Sequence, residues 1–160
     1  MIYCTQGQGT GVLNRYKKKN NKRHKRNSKN IMKTIQERRA IVLQDTIQYY
    51  SQDPIGRRCS DDNSCSYSPK TLWKEATSEG CAVGRLLSPK LREELDRDFE
   101  GKSVRYKPLF ETLPKEIQEL GEVFLSMLQS LHDGDTYWDS EGLSKVGEEE
   151  VQRIEEWIYM

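Results

Sequence analysis

Apolar side chains along this chain recur in helical register. Over residues 32–50, Ile35, Val42, Leu43, Thr46, Ile47 and Tyr50 share one broad face at 3.6 residues per turn, with Arg38 and Asp45 away from its centre. Asp53-Pro54 ends that element, because a residue preceding proline avoids the helical region. Ser88-Pro89 opens a short second helix, a capping hydroxyl followed by a proline that the first turn tolerates, and Leu91, Leu95 and Phe99 follow at i, i+4, i+8. The clearest pattern covers 114–132. There Ile117, Leu120, Phe124, Met127, Leu128 and Leu131 fall within an arc of about 100°, with Lys115, Glu116, Glu119 and Glu122 outside it. Ser144 caps a last helix to about residue 158, with Val146, Val151, Ile154, Trp157 and Ile158 on one side. Glu148 to Glu150 suit the positive end of its dipole.

Two stretches lack a period. Residues 101–112 carry Val104, Tyr106, Leu109 and Phe110 without a recognisable element. Residues 59–85 read CSDDNSCSYSPKTLWKEATSEGCAVGR and hold three of the four cysteines. A metal, a disulfide, a buried thiol cluster or a partner surface would each explain how such a segment is held. No alternating strand is evident. The pattern predicts a small all-α domain over residues 32–160, with a loop-rich, cysteine-bearing insert. Residues 1–31 precede it as a disordered basic tail, because their Gly, Gln, Asn and Lys content cannot bury enough surface to offset chain entropy.

Charge sharpens that boundary. Residues 1–31 contain nine Lys or Arg and no acid, so the near-neutral total of +1 divides into +9 on the tail and −8 on the body. The body's field disfavours nucleic acid, whereas the tail attracts it. Lys17, Lys18, Lys19, Lys22, Arg23, Lys25 and Arg26, within residues 15–29, are the candidate nucleic-acid contacts, or a localisation signal. The alternative is a solvated extension preceding a more natural beginning at Met32. No apolar run reaches the roughly 20 residues of a membrane span, and no signal-peptide pattern is evident. The expected location is cytoplasmic, where thiols stay reduced.

Three chemistries compete for the cysteines. Cys59, Cys65 and Cys81 with His132 make a candidate Cys3His zinc site, although the spacing of the first pair is wider than the usual two intervening residues. Cys81, between Gly80 and Gly84 and beside Arg85, is a candidate nucleophile, with His132 as its base and Asp133 or Asp139 orienting the ring. Buried free thiols that act as small hydrophobes are the third reading. The loop DGDTYWDSEG at 133–142 fails the EF-hand template, because Trp138 replaces its glycine and Ser144 its terminal glutamate. It reads better as a cap with Tyr137 and Trp138 docked inward. GQGTG at 7–11 has no strand before it and carries no phosphate-loop argument.

RRC at 57–59, CSYSP at 65–69, GCAVGRLL at 80–87, LPKEIQELG at 113–121 and LQSLHD at 128–133 together resemble a group of small proteins of bacteriophages and mobile elements to which no activity is attached. The resemblance spans about residues 45–147. It implies an accessory protein acting in the host cytoplasm, without a mechanism. The expected function is therefore a non-enzymatic binding module with a protein partner. The rivals are a small enzyme using Cys81 with His132, and a nucleic-acid-associated protein acting through the tail.

Overall fold

The computed structural model describes residues 33–54, 57, 66–69 and 80–160. The expected tail, Cys59 and Cys65 lie outside these residues. Cys4 does as well. The described compact unit is Thr34–Met160, and it is mainly helical. Helix α1 is Ile35–Ser51, α2 is Pro89–Asp98, α3 is Lys107–Thr112, α4 is Lys115–Gln118, α5 is Glu122–Asp133 and α6 is Lys145–Tyr159.

Helix α1 begins with a reciprocal capping box. The Thr34 hydroxyl accepts from the Glu37 amide at 3.2 Å, and the Glu37 carboxylate accepts from the Thr34 amide at 2.7 Å, so two orphan donors are satisfied at once. Its buried residues are Leu43, Thr46 and Tyr50. Thr46 sits in that apolar face because its hydroxyl donates to the Val42 carbonyl at 2.8 Å. Ser88 and Ser144 cap α2 and α6 as their sequences predict.

The pattern over 114–132 is not one helix. The chain breaks after α4, and Gly121 takes φ +91° before α5 starts. A side chain at that backbone angle is strained, so glycine permits a turn that the apolar period alone conceals. Arg39 fastens the break from α1, donating through Nε to the Leu120 carbonyl at 2.8 Å while its guanidinium lies 4.8 Å from the Trp157 ring centroid. Arg38 adds a hydrogen bond to the Glu116 carbonyl and an ion pair to Glu119 at 2.8 Å.

The buried surface of α5 is also wider than the predicted arc. It includes Leu125, Ser126, Gln129 and His132 beside Phe124, Leu128 and Leu131. The reason is that α5 packs against both α1 and α6, and α1 packs against α6 in turn. Phe124 stacks on Trp157 at 6.5 Å between centroids, nearly parallel. Val146, expected on the apolar side of α6, is instead half exposed. Buried Gly147 takes that place, lying against the Tyr137 carbonyl.

Two further corrections concern the unassigned stretches. Residues 101–112 contain α3, with Pro108 in its first turn. The loop after α5 contains a minimal antiparallel pair, β1 Trp138–Asp139 with β2 Gly142–Leu143. Trp138 is docked inward as expected, donating to the Leu131 carbonyl at 2.7 Å. It thereby satisfies one of the carbonyls that the end of α5 leaves open.

Candidate functional site

The described part of the cysteine-bearing insert is held by side chains. Tyr67, 1% exposed, donates to the Lys102 carbonyl at 3.1 Å and accepts from the Gln129 amide at 3.3 Å. On α2, the Asp96 carboxylate accepts from the Tyr67 and Ser68 amides, each at 2.8 Å, and more weakly from the Ser66 hydroxyl at 3.4 Å. An ideal Cβ on Gly84 would strike the Tyr67 carbonyl, so the 66–69 strip lies directly on the turn that follows Cys81. The Ser66 carbonyl accepts from the Cys81 amide at 3.0 Å and closes this junction.

Cys81, Ala82 and Val83 are each fully buried. The Cys81 sulfur accepts from the Gly84 amide at 3.3 Å, and its carbonyl accepts from Arg85 at 3.0 Å. The described hydrogen bonds of Cys81 thus stay within its own junction. Arg85 was read from sequence as a neighbour of this thiol. Its guanidinium instead pairs with Asp45 at 3.0 Å and lies 3.7 Å from the Tyr49 ring centroid. Arg57 approaches Tyr49 as well, at 4.4 Å.

His132 is also fully buried. Its Nδ1 donates to Asp133 Oδ1 at 2.7 Å. The Tyr50 ring leans on it at 4.7 Å and also meets Trp138 at 5.9 Å, while the Tyr50 hydroxyl donates to the Gly80 carbonyl at 2.9 Å. Tyr50 therefore spans from the His132 end of α5 to the residue preceding Cys81. Asp133 is the orienting carboxylate that the nucleophile reading named. Asp139, the other candidate, accepts from the Glu141 amide at 2.8 Å in the turn between the strands. Among the described residues no group of three or more His, Cys, Asp or Glu is gathered as for a metal. Two of the four candidate zinc ligands, Cys59 and Cys65, lie outside those residues.

A polar depression of about 340 Å³ is lined by Gly101, Ser103, Arg105, Ser126, Gln129, Ser130 and Asp133. Its frame is tied to the core. Gln129 accepts from the buried Val104 amide at 2.9 Å, on the same side chain that reaches Tyr67. Arg105 donates through Nε to the Ser126 hydroxyl at 2.7 Å. Sequence reasoning missed these residues. Ser126, Gln129 and Ser130 belong to a helix read for its apolar stripe, and Arg105 belongs to the stretch with no period. A usable signal was the run Ser126, Gln129, Ser130 and Asp133, polar positions at helical spacing beside an apolar face.

Away from this site, Arg97 donates a side-chain hydrogen bond to the neighbouring Asp98, which lowers that carboxyl's pKa and raises that of Arg97. Comparison with protein-family models, curated proteins and solved structures found no match to this chain.

Proposed function

We propose that this chain is a small non-enzymatic binding module, an accessory protein of bacteriophage or mobile-element type that acts on a component of the host cytoplasm. The depression over α5 is the contact site. The observation that carries this reading is the polar depression itself, lined from α5 by Ser126, Gln129, Ser130 and Asp133 and from the preceding stretch by Ser103 and Arg105. Its volume is at the lower end of the roughly 300–1,000 Å³ usual for ligand pockets, which suits one polar group of a partner. The full burial of Cys81 further favours binding over nucleophilic chemistry, since a nucleophile must meet its substrate.

Titration of the isotope-labelled full chain with small polar fragments (acetate, phosphate, methylammonium and acetamide) tests the reading. Saturable amide shifts should gather at residues 103, 105, 126, 130 and 133. Shifts scattered elsewhere, or none, would refute it.

The charge division favours a second reading, in which residues 15–29 bring the protein to nucleic acid. Nine cations without an acid support it. Affinity for a mixed-sequence duplex should then fall about linearly in log–log form with salt, at a slope set by the phosphates neutralised. A salt-independent affinity would remove this reading.

A further inference from the structure

Each charged group in the wall of the α5 depression already has a partner. Arg105 donates through Nε to Ser126, and Asp133 accepts from His132 and has a further interaction. Gln129 is held by the Val104 amide and the Tyr67 hydroxyl. The hydroxyls are less committed. Ser126 is 7% exposed, and its oxygen accepts from Arg105, so it still has a proton to donate. The Thr46 hydroxyl gives its proton to the carbonyl one turn back, whereas among the described residues Ser126 makes no such bond. Among the same residues the Ser103 and Ser130 hydroxyls form no hydrogen bond, and both line the same depression.

A ligand that uses this wall fully gives an acceptor to the Ser126 proton and donors to the Ser103 and Ser130 oxygens. An ammonium offers donors and no acceptor. An ionised carboxylate offers acceptors and no donor, and it would share the depression with the Asp133 carboxylate on a body of net charge −8. A carboxamide carries a carbonyl acceptor and two N–H donors on one plane. At about 340 Å³ the depression admits a side chain that bears one. Resting on the binding-module reading above, we propose that this pocket takes the uncharged amide of an Asn or Gln side chain presented by a protein partner, its carbonyl on Ser126.

The test sets propionamide against propionate, propylammonium and 1-propanol, probes of similar size. Each is titrated into the isotope-labelled full chain and read by amide shifts at residues 103, 126 and 130. Propionamide should bind at least about fivefold tighter than each of the others. Ser126→Ala and Ser130→Ala should each weaken it by about threefold or more, the loss of one neutral hydrogen bond. Ser130 is exposed, so Ser130→Ala decides the matter alone if the Ser126 variant fails to fold. An advantage under about fivefold, or propionamide binding unchanged in Ser130→Ala, overturns the proposal. Propionate, propylammonium or 1-propanol bound at the pocket as tightly as propionamide would sink the amide inference and leave the binding module standing. No binding there by any probe would remove both.

Discussion

Asp96→Ala is the sharpest test of how the insert is held. One carboxylate takes two backbone amides at 2.8 Å each, from Tyr67 and Ser68, on a strip whose next contact is the turn after Cys81. A hydrogen bond to a charged group contributes about 1.5–3 kcal/mol. The two share one acceptor group and are partly exposed, so they do not add in full, and about 2–4 kcal/mol is expected for the pair. Asp96→Asn keeps one side-chain oxygen and should lose about half of that. Glu93→Ala, one turn away and exposed, should stay within about 0.5 kcal/mol. Urea unfolding followed by circular dichroism gives the energies. Amide exchange at Tyr67 and Ser68 then shows whether the loss is local to the strip. A change under about 0.5 kcal/mol, with unaltered exchange at those two amides, would refute the assignment of Asp96 as the anchor.

Other substitutions follow from the same geometry. Phe124→Ala, fully buried against Trp157, should cost about 3–5 kcal/mol, whereas Glu119→Ala, which loses an exposed ion pair to Arg38, should cost under about 1 kcal/mol; equal denaturation midpoints would mean that the buried face is wrong. Gly84→Ala pushes a methyl into the Tyr67 carbonyl and should cost about 1–3 kcal/mol or more, visible as a lowered Tm, and an unchanged Tm would contradict the close approach. The Cys81 thiol, fully buried and accepting from Gly84, should react with a soluble disulfide reagent only on unfolding; prompt labelling of Cys81 in the folded chain, located by mass spectrometry, would contradict its burial.

The helices were largely legible because burial and period coincide in them. Leu43 and Tyr50, Leu95, Leu128 and Ile154 are buried where their spacing predicts. Thr34-x-x-Glu37 could also have placed the start of α1 from sequence, since the capping box is a local signature. The break at Gly121 was not legible, because apolar positions on either side continue one register while the backbone angle changes. Nor was the pocket. Ser126, Gln129 and Arg105 become a site only when residues 101–105 fold across α5, a long-range event that no local period encodes. The cysteines illustrate the same point. Spacing suggested chemistry for Cys81, and the structure gives it a buried place under the 66–69 strip. His132 was drawn into the candidate site by its type and its place at the edge of the apolar stripe over 114–132, whereas its surroundings are set by Asp133 and Tyr50.

Site-specific photo-crosslinking in bacterial cells tests the central claim most directly. A benzophenone amino acid at position 103 or 130 borders the depression, and the same probe at the exposed position 152 on α6 serves as the control. The account predicts a discrete crosslinked species from 103 and 130 that is absent from 152 and lost when Arg105→Gln is added. Equal crosslinking from position 152, or a pattern indifferent to Arg105→Gln, would contradict a binding module that works through the α5 depression.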